Sequence, residues 1–445
     1  VVDGPVDIQH EDLADNALAG PFLDYRSRSA TAPLPCRNND LNKHGTAVAG
    51  LIASRRNNGL GGSGVAPQAR IAAYNAIPLD DGTTAQITTT DIADALGRDL
   101  ANTHVYNSSW GSPEDGDLHA VDPATQAAIT RGLAEGRSGR GAIFVFPSGN
   151  GGRRGDMTNF DGYLNLPGTI TACAVDRRGK LPSWGEQGEN LLVCGLSSGD
   201  QTSSVVTTSI RHQYRDDFTG ASAAAPMVSG VIALMLEANP GLGWRDVRLI
   251  LARSARQNDP GDASWQLTRL PGADGSFKRF SAKYGFGVVD AEAAVVMARD
   301  WASVDSQALR SCEFSRDANQ AGQNFPKTLS SANPSTDQIA VLANQCSLQV
   351  LEFVEVELSA QHPAAGNLQV ELTGPNGAVS RLASARSCGA PATRAACRQF
   401  SNWRFSVNRH LGEDPADTNW SLAISDTGSS STGSWLGWKL ILRGR

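Results

Sequence analysis

Gly220-Ala221-Ser222-Ala223-Ala224-Ala225-Pro226 is the stretch on which the reading of this chain turns. A Ser flanked only by Gly and Ala leads into Val228, Val231, Ile232, Leu234 and Met235, a run that is apolar nearly all round. A helix of that composition is buried. The Ser hydroxyl then stands at the N-terminus of a core helix, where the helix dipole favours negative charge. The small first turn lets another backbone come close. Alone, such a Ser is an ordinary N-cap.

Two segments upstream change that reading. In His44-Gly45-Thr46-Ala47-Val48-Ala49-Gly50 a His opens a helix whose next residues are too small to crowd it. In Val1-Val2-Asp3-Gly4-Pro5 an Asp ends a short apolar strand, a costly place for a carboxylate unless it is paired. A Ser hydroxyl is a poor nucleophile until a neighbouring base takes its proton. A His is that base near neutral pH, and a buried Asp fixes its tautomer and stabilises the imidazolium. The chain order Asp, His, Ser is one of the known orders of this triad.

Around these motifs the first two thirds alternate strand and helix. Short apolar runs at 70–77, 103–108, 142–148 and 170–175 read as buried parallel strands. Helical stretches at 46–53, 89–100, 123–136, 223–237 and 244–254 accompany them. The pattern predicts an α/β fold with a doubly wound parallel sheet. Past residue 300 the helical period fades and alternating strands take over, as at 348–359, 367–372 and 420–424, punctuated by Gly, Pro, Asn and Ser. That texture predicts an all-β jelly-roll sandwich, with the division at residues 1–304 and 305–445.

The bulk numbers narrow the function. A net charge of −6 argues against nucleic acid or an anionic membrane as partner. No apolar run reaches the length of a bilayer span. The chain opens on Val1 with no initiator Met, as a processed or truncated form would. Seven Cys without C-x2-C spacing argue against zinc. Cys173 and Cys194 fall on neighbouring predicted strands and are placed to pair. Cys312, Cys346, Cys388 and Cys397 allow three connectivities, with 312–346 and 388–397 expected in an oxidising compartment. Cys36 is the odd one.

The motifs together resemble the subtilisin-like serine proteases, and more narrowly their kexin and furin proprotein-convertase branch. Ser109-Trp110-Gly111, Ser148-Gly-Asn-Gly-Gly-Arg153, Asp161-Gly-Tyr163, Trp244-Arg-Asp-Val247 and Tyr284-Gly-Phe-Gly287 carry the narrower likeness. The resemblance implies a serine endopeptidase with catalytic Asp3, His44 and Ser222, and Asn150 as oxyanion donor. It implies polypeptide substrates that pair with Ser109, Trp110 and Gly111, and Glu114 and Asp161 as acids selecting Arg or Lys at P1. It implies calcium at two places: Asp12, Arg55, Asn58, Leu60 and Gly62, then Glu114, Asp156 and Glu186. A third family site keeps only Asp24.

Gly366–Gly377, Asp417–Leu422 and Gly433–Trp438 resemble the P domain of convertases. The family also implies a secreted or periplasmic monomer and a pro-segment or external chaperone or inhibitor. Two departures stand out: Ala221 where the family has Thr, and Pro5 with Gly4 where it has Gly two residues after the Asp. Positions that would read a basic P2 align with Gly4 and Leu41, neither acidic, so cleavage after single basic residues is expected. Asp40, Asp115, Asp117 and Asp122 stand near enough in sequence to compensate. The rival readings are a folded scaffold without turnover, and an adhesion module using Trp403, Trp420, Trp435 and Trp438 as a platform.

Overall fold

The computed structural model describes residues 1–30, 43–77, 87–200, 205–305, 307–320, 323–389, 392–416, 418–428 and 431–445. Cys36, Asp40 and Leu41 lie outside the described residues.

The apolar runs form parallel strands. β1 (Val2–Asp3), β2 (Ala17–Asp24) and β3 (Ile71–Asn75) pair in the order β1-β3-β2. β4 (Val105–Asn107), β5 (Ile143–Pro147), β6 (Thr169–Val175) and β7 (Leu191–Leu196) pair in chain order. The expected single sheet is therefore divided by its hydrogen bonds into three and four strands. β1 is only two residues long and spends its ladder on β3. Its link to the β4 side is a side-chain bond, Trp110 Nε1 to the Val2 carbonyl at 2.8 Å.

Six helices cover these sheets: α1 (His44–Ala53), α2 (Thr89–Gly97), α3 (Pro123–Gly139), α4 (Ala221–Ala238), α5 (Trp244–Ser254) and α6 (Ala291–Arg299). The alternation along β5 shows why both faces are needed. Ile143 and Val145 pack with Val228, Val231 and Ile232 of α4 and Ile250 of α5. Phe144 and Phe146 pack with Leu96 of α2 and Ile129 of α3. α4 is long and apolar enough to cross a membrane by composition, yet it is mostly buried and packs against β4 to β7, α1 and α6. It is the core helix that its sequence predicts.

Two hairpins extend this half: β8 (Val205–Ser209) with β9 (Gln213–Phe218), and β10 (Gln266–Pro271) with β11 (Phe277–Phe280). The rest of the chain is antiparallel: β12 (Arg310–Asp317), β13 (Lys327–Leu329), β14 (Ser335–Val341), β15 (Leu351–Gln361), β16 (Leu368–Thr373), β17 (Val379–Ala383), β18 (Phe400–Val407), β19 (Thr418–Asp426) and β20 (Gly433–Gly444). One sheet runs β12-β20-β15-β18 with β13 also on β20; the other runs β14-β19-β16-β17. Trp420 and Trp435 are fully enclosed, and Trp403 and Trp438 nearly so. The four tryptophans are core, and the platform reading fails on their burial.

Disulfides join Cys173 to Cys194, Cys312 to Cys346 and Cys388 to Cys397. The first links register partners on β6 and β7.

The two halves are locked together. Arg245 of α5 makes a bidentate bond to Glu352 at 2.7 and 2.6 Å, with both side chains buried. Asp246 beside it accepts from Gly243 N, Trp301 Nε1, Ser303 Oγ and Val304 N, fixing the connecting chain. Removing one partner of a buried charge pair costs about 3 to 5 kcal/mol.

Candidate active site

Asp3 ends β1 with its side chain fully enclosed. Its Oδ1 accepts from His44 Nδ1 at 2.7 Å and from Gly4 N at 2.7 Å. Since the carboxylate can only accept, Nδ1 carries the proton and Nε2 is left to act as a base. His44 heads α1. Gly45 behind it has to be glycine, because a Cβ there would lie 2.3 Å from the Gly4 carbonyl and 2.8 Å from that of Pro5. That contact brings α1 onto the end of β1 and seats Pro5 in the turn. Burial pulls the His44 pKa down, and the charge and hydrogen bond of Asp3 push it up. The net value lies above the ordinary 6.5. Phe218 of β9 meets the imidazole edge-on at 5.4 Å between ring centroids.

Ser222 sits in the first turn of α4, one residue inside it rather than before it. Pro226 lacks an N–H, so the Ser222 carbonyl loses its helical donor. The Ser109 hydroxyl supplies one at 3.2 Å. Ser109 Oγ in turn accepts from Asn107 Nδ2, whose Oδ1 accepts from Ser229. This chain ties β4 and the segment after it to the nucleophile helix at Ser222 and again at Ser229. No sequence motif announced it. The Ser222 Oγ donates to the Ser109 carbonyl at 3.2 Å, and among the described residues it makes no bond to His44. Catalytic hydrogen bonds of this kind are often unmade before substrate binds.

Asn150 follows β5. Its Oδ1 accepts from Ala221 N at 2.8 Å, which fixes the amide and turns Nδ2 the other way. Nδ2 and the Asn150 backbone N both donate to Glu114 Oε1 at 2.9 Å. One N–H of the amide expected to meet an oxyanion is therefore held by a carboxylate, and the second N–H of Nδ2 remains to serve.

A cleft of about 460 Å³ opens beside Ser222, lined by Ser109, Trp110, Gly111, Glu114, Asn150, Asp156, Asp161 and Glu186 among others. Trp110 is wedged edge-on between Phe146 and Tyr163. Asp161 accepts from Ser112 N at 2.9 Å and Tyr163 N at 2.8 Å, and burial raises its pKa. Asp156 accepts from Gly116 N and Met157 N, and burial still pushes it up to about 6. Glu186 accepts from Gly151 N, and burial followed by the charge of Asp156 raises it well above its usual range. Three acids whose charged forms burial disfavours thus share one cleft, where a cation would lower the cost of ionising them.

Three of the acids expected to compensate at other subsites are committed elsewhere. Asp115 bonds His119 at 2.8 Å, Asp117 bonds Arg398, and Asp122 caps α3. Asp24, the remnant of the third calcium site, accepts from Asn75 Nδ2, Arg26 N and Ser27 Oγ.

On the far side of α1, Asp12 is fully enclosed. Its Oδ1 accepts from Asn58 Nδ2 at 2.7 Å, while Oδ2 is buried with no partner. Arg55, Leu60 and Gly62 belong to the same loop, anchored by Arg55 N on the Asp12 carbonyl. An orphaned buried carboxylate oxygen facing an amide-bearing loop suits a hard cation. Among the described residues, no three His, Cys, Asp or Glu side chains converge as a finished metal site.

A model described as the subtilase family matches residues 1–287, and one described as the proprotein convertase P-domain matches residues 351–442. Protease KEX1 of Kluyveromyces lactis is 33% identical over 445 residues, covering 100% of this chain and 55% of its own. Furin of Rattus norvegicus is 32% identical over 451 residues, covering 100% of this chain and 53% of its own. The chain thus spans about half the length of the curated relatives it matches. The serine protease of Aeromonas sobria, solved in complex with its chaperone, superposes with a TM-score of 0.83 at 20% identity, covering 100% of this chain and 87% of that one. At that identity the superposition speaks for the fold.

Proposed function

The chain belongs to the subtilase family, and on that premise we propose that it is a calcium-dependent serine endopeptidase cleaving after basic residues. The observation that carries the reading is the buried 2.7 Å bond from His44 Nδ1 to Asp3, beside a cleft that ends at Ser222. Ser222 Oγ attacks the scissile carbonyl while His44 Nε2 takes its proton. Asp3 stabilises the imidazolium. The oxyanion is met by the Ser222 N–H and by the second N–H of Asn150 Nδ2. His44 then protonates the leaving amine, and water releases the acyl-enzyme by the same steps.

Ser109, Trp110 and Gly111 pair with the substrate as an added strand. Glu114 and Asp161 favour Arg or Lys at P1. The Arg398 and His119 partnerships of Asp117 and Asp115 support preference for a single basic residue over a pair.

Calcium would be held by Asp12, Asn58 and the carbonyls of Arg55, Leu60 and Gly62, and by Glu114, Asp156 and Glu186. It supplies positive charge to buried acids and cross-links loops, and takes no part in the bond-making steps. Residues 1–304 form the catalytic unit and 305–445 the stabilising sandwich. Three disulfides support a secreted or periplasmic monomer. The chaperone of the A. sobria complex suggests a pro-segment or external chaperone as partner.

The test is hydrolysis of matched peptides with Arg, Lys, Phe or Leu at P1, with and without a chelator. Cleavage after Arg or Lys that chelation abolishes supports the whole reading. Cleavage after Phe or Leu removes the acidic pocket. No cleavage by folded protein favours the scaffold reading, to which Ala221 and the Ser222–Ser109 bond lend their weight.

A further inference from the structure

The wall of the P1 pocket is built against the β-sandwich. Leu118, Met157 and Phe160, which flank the acids, belong to the same hydrophobic cluster as Phe400, Phe405 and the sandwich tryptophans. The segment between Glu114 and His119 is gripped from outside by residues on either side of the Cys388–Cys397 disulfide. Arg386, buried, donates Nε to the Gly116 carbonyl at 2.6 Å. Arg398 donates its backbone N to Asp117 Oδ1 at 2.7 Å, pairs Nε with Oδ2 at 3.2 Å and donates Nη1 to the Leu118 carbonyl at 2.7 Å. Gly116 has φ +77°, and a Cβ there would meet the Ser387 carbonyl at 2.9 Å, so the two backbones touch. From the other side Gly116 N donates to Asp156 Oδ2 at 3.1 Å. The path from the sandwich to an acid of the cleft is thus one residue thick.

Arg386 is an expensive residue for mere packing. Its guanidinium stacks on Phe160 at 4.1 Å and Phe400 at 5.4 Å. Nη1 and Nη2 are buried without a hydrogen-bond partner among the described residues. An apolar side chain would fill that space without desolvating a charge. What an apolar side chain would lose is the donor on Gly116.

We propose that Arg386 and Arg398 are positioning residues for the P1 pocket: through the Gly116–Leu118 backbone, these two residues flanking the Cys388–Cys397 disulfide of the sandwich set the placement of Glu114 and Asp156, and with it the preference for a basic P1 side chain. The sandwich then shapes specificity as well as stability. The inference rests on the endopeptidase reading above, but the clamp itself is measurable without turnover.

Arg398 has the more exposed side chain, so Arg398→Ala is the variant that folds most readily; Arg386→Lys keeps the buried charge while breaking the planar donor geometry. Arg316→Ala, which breaks an ion pair inside the sandwich, is the control for stability alone. Two readouts are taken: hydrogen exchange of the amides of residues 113–119, and KM and kcat on peptides differing only in Arg or Leu at P1. The clamp predicts faster exchange in that segment for Arg398→Ala and Arg386→Lys but not for Arg316→Ala. It predicts KM for the Arg peptide raised about fivefold or more, with kcat within about twofold and the Leu peptide little changed. Unchanged exchange in both clamp variants overturns the proposal. So does an Arg-to-Leu selectivity equal to wild type despite lowered thermal stability. If wild type itself shows no basic preference, the specificity half of the proposal falls with the reading it rests on, and exchange alone then decides the clamp.

Discussion

Two sides of one cleft treat buried carboxylates in opposite ways. On one side Asp3 is enclosed with the His44 N–H and the Gly4 N–H on Oδ1, while Oδ2 is buried without a partner among the described residues. On the other, Asp156 and Glu186 are enclosed with backbone donors only, and burial lifts both pKa values. The paired acid is part of a completed device that orients a base. The other two acids orient no base, and burial pushes them toward the protonated form. The contrast teaches how a single fold can keep a permanent catalytic charge beside a conditional binding charge.

The largest way to break this contrast lies on the catalytic side. Ser222→Ala is expected to lower kcat about 10⁵- to 10⁶-fold, with thermal stability little altered, in a burst-free peptide assay. Retained turnover would move the chemistry elsewhere. Asp3→Asn is expected to cost about 10⁴ in kcat by leaving His44 in the wrong tautomer. The pH profile adds a sign. Asp3 raises the His44 pKa above 6.5, so the acidic limb of kcat/KM lies above 6.5 in wild type and moves down in Asp3→Asn. The same raised pKa contributes stability that is fully present below 6.5 and is lost as pH rises through the folded value.

Between the two sides stands Asn150, bonded to both Ala221 and Glu114. Asn150→Ala is expected to lose about 10² to 10³ in kcat. Glu114→Ala sharpens the comparison. Its Arg-to-Leu selectivity is expected to collapse by about tenfold or more, while the Leu peptide keeps its turnover. Loss of both peptides alike would make Glu114 a structural residue.

The smallest expected effect is calcium on stability. Adding calcium at about 100 times its Kd to stripped protein is expected to raise unfolding free energy by about 2.7 kcal/mol per site, read as a shift in the denaturant midpoint. Asp12→Asn should halve that response if two sites operate.

Much of the fold was legible because apolar period is a strong signal. The runs around Phe144 and Val231 could only be a twice-covered strand and a core helix, and they are. The edge of the sheet was less legible: two-residue β1 cannot announce that the Trp110 indole bonds its Val2 carbonyl. In the site, residue types at motif positions gave the pairing candidates, because Asp3 before a glycine turn and His44 before Gly45 each carry a steric requirement. The Ser229–Asn107–Ser109 line and the Arg386 clamp were not legible. They join residues more than a hundred positions apart, through side chains that are unremarkable in isolation. Nor did sequence show that Glu114 would spend its carboxylate on Asn150, since that depends on two loops meeting.

The central claim is that Ser222 is activated by His44 resting on Asp3. The most direct measurement is labelling with a fluorophosphonate probe, followed by mass mapping of the modified peptide in wild type and in His44→Ala. The account predicts one adduct, on Ser222, in wild type, and labelling slowed by several orders of magnitude in His44→Ala. Folded wild type that takes no label, or a His44→Ala variant that labels as fast as wild type, would contradict it.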